Sequence, residues 1–532
     1  MRSAGLPTVG FMELQLKGGG PLVVPANTIY STVQQQDYSA GVWLRRKEKK
    51  LEHSQQKCIV IFALMCCFAV LVALIFSAVD VWGEDEDGIT EENCNKNLLV
   101  ENIPEDVTFS ENSTAHLTLS AGLHSLLDLA VAGRSVEIVS PQWNLNSSDN
   151  ESSFLPSSRQ GQAMLQRLQG LKKKGINLKI ASGMIDSVEL KSLSRLSEVH
   201  YINMTALTKG FLHSSFWVVD RKHIYIGSAT MDWRSLSTMK ELGIIIYNCS
   251  CLALDLHRVF NLYWQLQYKD FVPSIWSKRL SALWNKDENL PLLFNNTKAE
   301  VFLSSSPDVF CPKDRTRDLD AISYVIQKAK KFIYISITDY LPLTNRNSHR
   351  YWSSIDGMLR EALILRNIKV RLLVSCWEQT HPLTFNFVWS LKTFVHLQYI
   401  IGHHTPTSSL TGYKLTREQR DGTLQGINHN RFIVTDSAVY IGNFDWVGNE
   451  FMFNAGAGMV ISQAEGLKER NSTLVEQVRA AFQRDWYSRH TMSLQANKIP
   501  VCNKHQLNQL AHLKITQPPE SSGSQESPNG SF

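Results

Sequence analysis

The segment His213-Ser-Ser-Phe-Trp-Val-Val-Asp220 recurs 216 residues later as His429-Asn-Arg-Phe-Ile-Val-Thr-Asp436. A hydrophobic run and a glycine turn ending in tryptophan follow each copy, with the turns reading Gly227-Ser-Ala-Thr-Met-Asp-Trp233 and Gly442-Asn-Phe-Asp-Trp446. The central residues of both copies are β-branched or aromatic, the types that favour strands. The repetition predicts two equivalent strand and turn units, each carrying one histidine.

Predicted helices and strands alternate ahead of each copy. Each half has a helix, a strand, a second helix and a second strand before its histidine. The predicted bounds are Leu117–Val131, Ser135–Ser140, Gly161–Lys174 and Ile176–Ala181 in the first half, and Asp318–Lys330, Phe332–Ile337, Ser353–Leu365 and Ile368–Val374 in the second. Such alternation is typical of parallel strands flanked by helices. The sequence therefore predicts an α/β sheet in each of two halves, 95–290 and 298–503.

One segment near the N terminus is apolar enough to cross a membrane. Cys58 to Val79 holds 22 residues without a charge, and at a rise of about 1.5 Å per residue this length spans a hydrocarbon core of about 30 Å. Basic residues precede the run and acidic residues follow it, which predicts a cytoplasmic N terminus and a lumenal or extracellular bulk. A cleaved signal peptide is the alternative, but the run is too long and begins too far from Met1.

Net charge is concentrated at the N terminus. Of the total of +5, residues 1–57 contribute +4, and the remaining 46 basic and 45 acidic residues nearly balance. That balance argues against a broad cationic surface for nucleic acid. The composition of residues 1–57 predicts a disordered cytoplasmic tail, and the Pro, Ser and Gly content of 517–532 predicts a second disordered tail.

Glycosylation sequons are frequent on the side predicted to be lumenal. The Asn-x-Ser/Thr pattern occurs at Asn112, Asn146, Asn150, Asn203, Asn248, Asn295, Asn471 and Asn529. Eight sequons on that side are consistent with a glycoprotein of the endoplasmic reticulum, the endolysosomal system or the cell surface.

Six of the nine cysteines lie outside the predicted membrane span, at Cys94, Cys249, Cys251, Cys311, Cys376 and Cys502. An even number in an oxidising compartment predicts disulfides, with 15 formal pairings for six cysteines. Cys249 and Cys251 alternate on a strand-like stretch and are not expected to pair with each other. No Cys-x-x-Cys or His-x-x-x-His spacing is present, so the sequence predicts no zinc site and no cofactor.

The histidine motifs have the spacing of a phosphodiesterase site in the form His-x-Lys-x4-Asp. Histidine and lysine two residues apart on a strand share one face, so two such strands present two of each to one phosphate. One imidazole attacks phosphorus to form a phosphohistidine, and the other protonates the leaving oxygen. Lysines and turn amides stabilise the phosphoryl charge, which makes a metal unnecessary. In this scheme the motif aspartate orients an imidazole.

The chain resembles the phospholipase D superfamily with two such motifs. Within it, the chain is similar to a single-pass type II glycoprotein branch whose active members are lysosomal or endosomal single-strand nucleic-acid exonucleases, and most of all to a member regarded as inactive. Besides the histidine segments, the resemblance lies in Leu-Val-Glu-Asn-Ile-Pro from Leu99, Gly-Ser-Ala-Thr-Met-Asp-Trp-Arg-Ser from Gly227, Lys-Glu-Leu-Gly from Lys240, Tyr-Asn-Cys-Ser from Tyr247, Val-Arg-Leu-Leu-Val-Ser-Cys-Trp from Val370 and Asn-His-Asn-Arg from Asn428. It implies phospholipase D-like domains packed as a pseudo-twofold pair after one transmembrane helix.

Both copies depart from the family pattern at positions that carry chemistry. Ser215 and Arg431 replace the two lysines, while Thr230 and Asp445 replace the turn asparagines. Serine removes a cation, and the planar fork of arginine does not fill the space of a compact ammonium. An aspartate at 445 sets an anion beside an anionic substrate, unless it pairs with Arg431.

These departures predict a pseudoenzyme with a non-catalytic binding or regulatory role. The degenerate positions are His213, Ser215, Asp220, Thr230, His429, Arg431, Asp436 and Asp445. The surviving histidines are expected to act as hydrogen-bonded residues between the halves. The alternative is a weak metal-independent phosphodiesterase acting on single-stranded nucleic acid or phospholipid. The expected partners are the membrane, through the anchor, and a second copy or an active relative.

Overall fold

The computed structural model describes residues 59–73, 94–146 with gaps at 95, 105–106, 108, 110–116 and 131–133, 158–401 except 378, 411–413, 427–463, 473–494 except 489, and 502. The chain divides into two compact units, 1–77 and 78–532. In the first unit, residues 59–73 form a helix with mostly exposed side chains. No helix within the described residues combines the length and apolarity needed to cross a membrane. The predicted span 58–79 extends beyond the described residues at both ends.

The first half of the larger unit builds one mixed sheet of eight strands and a separate two-stranded pair. Its strands are β1 (Lys96–Asn102), β2 (Leu117–Thr118), β3 (Ser135–Val139), β4 (Trp143–Asn144), β5 (Asn177–Gly183), β6 (Glu198–Ile202), β7 (Phe216–Val219), β8 (His223–Gly227), β9 (Met231–Asp232) and β10 (Glu241–Tyr247). The sheet order is β2-β1-β10-β8-β7-β3-β5-β6, and β4 pairs with β9.

The second half builds a mixed sheet of ten strands. These are β11 (Leu290–Phe294), β12 (Thr297–Ser306), β13 (Thr316–Arg317), β14 (Phe332–Ile337), β15 (Lys369–Ser375), β16 (Thr411–Tyr413), β17 (Phe432–Thr435), β18 (Ala438–Ile441), β19 (Gly456–Gln463) and β20 (Thr491–Ser493). The order is β11-β12-β19-β18-β17-β14-β15-β16-β20, with β13 beside β12. The run β12-β19-β18-β17-β14-β15-β16 matches β1-β10-β8-β7-β3-β5-β6 strand for strand.

Helices cover the faces of both sheets. They are α1 (Leu119–Leu129), α2 (Arg159–Gly170), α3 (Val188–Leu193), α4 (Met204–Leu207), α5 (Trp233–Ser237), α6 (Ser250–Trp264), α7 (Asp318–Lys328), α8 (Ser354–Ile364), α9 (Thr384–Ile401), α10 (Gly448–Phe453) and α11 (Leu474–Trp486), with 3₁₀ turns at Lys172–Lys174, Lys278–Leu280 and Asp308–Phe310. The predicted helix and strand alternation is confirmed in both halves. The predicted parallel pairing holds for β3-β5-β6 and β14-β15-β16, whereas the motif strands β7 and β17 pair antiparallel on both sides.

The largest hydrophobic core belongs to both halves at once. Phe216 and Tyr263 from the first half are in the same cluster as Phe432 and Phe482 from the second, and none of the four is more than 1% exposed. The motif strands are buried along their whole length, because both of their faces are covered. The shared core places the ends of β7 and β17, and hence both histidines, at the seam between the halves.

A buried ion pair also crosses that seam. The guanidinium of Arg315 donates to both carboxylate oxygens of Asp255 on α6, at 2.8 and 2.7 Å, and both side chains are at most 1% exposed. One of these oxygens also accepts the amide of Leu283 at 3.0 Å. Two buried charges are tolerated here because each satisfies the other and the remaining lone pairs are bonded.

The structure pairs four of the six cysteines that follow the apolar segment. Cys94 is bonded to Cys249, and Cys376 to Cys502. The prediction of disulfides is confirmed, as is the expectation that Cys249 and Cys251 do not pair with each other.

Replacing Asp255 with alanine is expected to destabilise the protein by about 3–5 kcal/mol, because the Arg315 charge would stay buried without a partner. The matched control is Asp320→Ala, which breaks the exposed pair with Arg317 and is expected to cost at most about 1 kcal/mol. Chemical denaturation of the two variants beside the wild type measures the difference. Equal losses in the two variants would contradict this account of the seam.

Candidate functional site

His213 is positioned by the opposite half of the molecule. Its backbone amide donates to the carbonyl of Ala455 at 2.8 Å, extending the bridge between Leu212 and Ala455. Its Nδ1 lies 3.3 Å from Oε2 of Glu450 on α10. A first-half imidazole is therefore oriented by second-half backbone and by a second-half carboxylate.

His429 shows the reciprocal arrangement. Its amide donates to the carbonyl of Lys240 at 2.8 Å, and its Nδ1 lies 2.8 Å from Oε1 of Glu241 at the start of β10. The Glu241 carboxylate is fully buried and also accepts the hydroxyls of Ser228 at 2.5 Å and Ser235 at 2.8 Å. With three partners, this carboxylate holds the second imidazole rigidly.

The surroundings of His213 favour its neutral form. The His213 imidazole lies deep in the molecule, although 31% of its side-chain surface is accessible. Desolvation lowers its pKa, and the nearby Arg431 and His429 lower the pKa further. The Glu450 carboxylate opposes this shift without reversing it. His213 is consequently a neutral imidazole over a wider range of pH than an exposed histidine.

Ser215 occupies the first lysine position without supplying charge. The side chain is buried, and its hydroxyl donates to the backbone carbonyl of Ala229 in the glycine turn. Thr230, at the position of the first turn asparagine, lies 3.2 Å from the Ser235 hydroxyl and 3.4 Å from Oε1 of Gln142. Both hydroxyls are engaged by the protein itself.

Arg431 keeps a cation at the second lysine position, but its guanidinium is paired with other residues of the protein. Its Nη2 lies 3.2 Å from Oδ2 of Asp445, and its Nη1 lies 3.3 Å from Nδ1 of His429. Asp445 also accepts the amide of Asp339 at 3.0 Å and has Arg346 at 4.0 Å. Burial alone would raise the pKa of Asp445, but Arg431 and Arg346 outweigh it and lower the pKa. The pairing proposed from the sequence is present.

The motif aspartates do not orient the imidazoles, so that part of the sequence interpretation is wrong for this chain. Asp220 accepts the amide of Ser135 at 2.9 Å, and Asp436 accepts the amides of Lys330 and Lys331, each at 2.9 Å. Each aspartate lies seven residues after its histidine, which corresponds to about 23 Å along an extended chain. The aspartates instead satisfy backbone groups at the far ends of the strands.

The polar site around the two imidazoles, called the cleft below, contains more carboxylates than guanidinium groups. Among the described residues there, Glu241, Asp339, Asp445 and Glu450 face the guanidinium groups of Arg346 and Arg431. The formal charge of these four carboxylates and two guanidinium groups together is −2. Such a field disfavours a phosphodiester, which is itself an anion.

Four predicted sequons fall on described residues. Asn146, Asn203 and Asn248 are exposed, and Asn295 is half-buried. Asn112, Asn150, Asn471 and Asn529 lie outside the described residues, and glycosylation stays a prediction for all eight.

Comparisons with known proteins identify the family of this chain. Residues 110–399 match a family model described as "PLD3/4, PLD-like domain". The chain belongs to this PLD-like family. It is 50% identical over 510 residues to mouse "Inactive phospholipase D5", covering 93% of each chain. It is 38% identical over 423 residues to human "5'-3' exonuclease PLD3", covering 76% of this chain and 82% of the other. A phosphatidylserine synthase structure from Haemophilus influenzae covers 74% of this chain and 92% of its own, with 12% identity and a TM-score of 0.46.

Sequence reasoning missed the residues that complete this PLD-like cleft. Glu241 and Glu450 orient the imidazoles, and Arg346 approaches Asp445 from a loop. Asn443 joins the two glycine turns by donating to the carbonyl of Gly227 at 3.0 Å. The Lys-Glu-Leu-Gly stretch contained Glu241 and was a usable signal, but neither Glu450 nor Arg346 lies in a segment that the sequence singled out.

Replacing Glu450 with glutamine is expected to lower the pKa of His213 further, because the carboxylate that favours the imidazolium is removed. Histidine-labelled protein titrated by NMR measures this change. Since the folded pKa lies below the unfolded value of about 6.5, the contribution of His213 to stability is lost as pH falls below that value. Glu361→Gln, which alters an exposed pair with Arg366, should leave the titration unchanged. A higher His213 pKa in Glu450→Gln would refute the conclusion that Glu450 favours the imidazolium form of His213.

Proposed function

We propose that this chain is a catalytically inactive PLD-like protein whose cleft has a binding or regulatory role. This proposal rests on the residues that stand at the two positions where the family has lysine. Ser215 is a neutral hydroxyl bonded to its own turn, and Arg431 is paired with Asp445. No cation at either position is left to take up charge on a phosphoryl group.

The expected loss of rate is large. Removing one preorganised donor to a developing oxyanion typically lowers turnover by about 10² to 10³. Here Ser215 removes one cation, Arg431 pairs the other with Asp445, and two turn amides are replaced. Asp445 also adds an anion. Such losses do not simply multiply, but the formal charge of −2 in the cleft opposes substrate binding as well as the chemical step.

The named relatives support the same conclusion. Mouse and human proteins named "Inactive phospholipase D5" are 50% and 49% identical over 510 residues, with 93% of each chain covered. The relatives named as 5'-3' exonucleases are 36–38% identical. The chain is thus more similar to these inactive relatives than to these exonucleases.

The alternative is a weak metal-independent phosphodiesterase acting on single-stranded nucleic acid or phospholipid through a phosphohistidine. One observation favours it: both imidazoles remain in the cleft, each oriented at Nδ1 by a carboxylate. In that reading one is the nucleophile and the other the acid. In the non-catalytic interpretation, both imidazoles hold the two halves together. This interpretation also accounts for the missing cation at Ser215 and for the pairing of Arg431 with Asp445.

We further propose that two duplicated domains form a pseudo-twofold pair on a single-pass type II membrane glycoprotein. Matching strand order and reciprocal imidazole contacts support the duplication. The uncharged stretch 58–79, its flanking charges and the sequons support the anchor and a lumenal or extracellular location. In this proposal the protein acts by binding: it binds a phosphate-bearing ligand weakly, or it associates with a second copy or an active relative.

Restoring the family residues tests whether these substitutions are what blocks catalysis. The quadruple change Ser215→Lys, Thr230→Asn, Arg431→Lys and Asp445→Asn is expected to raise phosphodiesterase turnover by at least about 10² over the wild type, because it restores both lysines and two neutral amide donors and removes the anion that pairs with position 431. Single-stranded oligonucleotide and phosphatidylcholine serve as the two substrates.

The matched control adds His213→Ala and His429→Ala to the same quadruple variant and should abolish any gained activity. Wild-type turnover above that control would overturn the assignment of an inactive protein and support the phosphodiesterase alternative. Silence of a correctly folded quadruple variant would show that the cleft is remodelled beyond these four positions.

A further inference from the structure

Three cysteines meet at the end of β10 that is remote from the cleft. Cys94 and Cys249 form a disulfide, and the sulfur of Cys251 lies 3.8 Å from each of their two sulfurs. Cys251 takes part in neither disulfide. In the part of the chain that the structure describes, this trio is the one group of His, Cys, Asp or Glu side chains that lie close enough together to hold a metal ion.

The spacing suits a shared cation better than direct attack on the disulfide. A thiolate attacks along the sulfur–sulfur axis, but Cys251 is equidistant from both sulfurs and so lies to the side of that axis. Thiolates bound to one zinc ion at about 2.3 Å are separated by about 3.8 Å when the geometry is tetrahedral. Both distances from Cys251 already have that value.

Local electrostatics also favour negative charge on these sulfurs. Cys249 is the residue that precedes α6, and Cys251 lies in the first turn of this 15-residue helix. The N terminus of a helix carries a partial positive charge. The first turn of α6 contains no acidic residue, and no side chain caps it, so nothing else in that turn neutralises this charge.

We propose that Cys94, Cys249 and Cys251 form a redox-gated thiolate site for one soft metal ion such as Zn²⁺ or Cu⁺. In the oxidised state the disulfide withholds two of the three ligands. A dithiol reductant cleaves the Cys94 to Cys249 bond, yielding two thiols while the dithiol becomes a disulfide. Each of the three thiols then loses a proton as the ion binds.

Access to the site is from the side of Cys251. Cys94 is 5% exposed and Cys249 is fully buried, whereas Cys251 is partly exposed. The site therefore offers three protein ligands and an open fourth position toward solvent, where zinc would hold water or an incoming ligand. Three soft sulfur ligands select zinc or copper(I) over magnesium or calcium.

The test uses the full chain with Co²⁺ as a spectroscopic probe, followed by competition with Zn²⁺. Reduced wild-type protein is expected to bind one equivalent of Co²⁺ with sulfur-to-metal charge-transfer absorption, which Zn²⁺ then displaces. Oxidised protein should lack this absorption. Cys251→Ser retains the disulfide pair and is expected, once reduced, to bind Zn²⁺ at least about tenfold more weakly, because a ligand is lost.

Two controls separate this site from other thiols. Cys311→Ser alters a cysteine outside the trio and should bind as the wild type does, as should a Cys376→Ser, Cys502→Ser double variant that lacks the second disulfide. Circular dichroism checks that each reduced protein stays folded. Equal Zn²⁺ affinity in reduced wild type and reduced Cys251→Ser, or an equal loss in Cys311→Ser, would overturn the proposal.

Discussion

The arrangement of the whole cleft depends on two contacts, each of which joins Nδ1 of an imidazole in one half to a carboxylate in the other. His429 lies 2.8 Å from Glu241, and His213 lies 3.3 Å from Glu450. Neither contact exists within a single half. The histidines therefore have fixed orientations only when the two sheets pack on a common core, and the site is a property of the pair.

The seam between the halves is stabilised by charge as well as by apolar packing. Besides Arg315 with Asp255, the fully buried Lys240 lies 2.5 Å from Asp485 on α11 and 3.5 Å from Glu101 on β1. Arg484 donates to both oxygens of Glu101 at 2.8 and 2.9 Å. Removing any one partner would leave a buried charge uncompensated, which makes independent motion of the halves costly.

The lysine positions and the imidazoles have different physical roles. The imidazoles can therefore be retained although the lysines are not. A lysine in a phosphodiesterase site contributes through its charge, and Ser215 and Arg431 either lack that charge or commit it to Asp445. The imidazoles contribute through their contacts with Glu241 and Glu450, which persist without a substrate. Burial favours the neutral form of the His213 imidazole. Its contact with Glu450 therefore does not depend on the additional proton that a catalytic acid would carry.

Much of the fold was predictable because helices and strands follow from local periodicity. The predicted strand Phe332–Ile337 has the observed bounds, and the predicted helix at Asp318 begins where expected. The degenerate motif positions could likewise be read from the sequence, since each substituted residue lies at a fixed spacing from a motif histidine. The role assigned to Asp220 and Asp436 was wrong because an aspartate seven residues further along an extended chain lies about 23 Å from its histidine.

The sequence by itself determined the two repeated units, the residues missing from each motif and the number of cysteines available to pair. Only the tertiary structure decided that Glu241 and Glu450 reach the imidazoles and that Cys94 lies beside Cys249 and Cys251. Glu241 is 188 residues from His429, and Cys94 is 155 residues from Cys249. Contacts over such separations arise from how the sheets pack, and no local pattern of residue types encodes them.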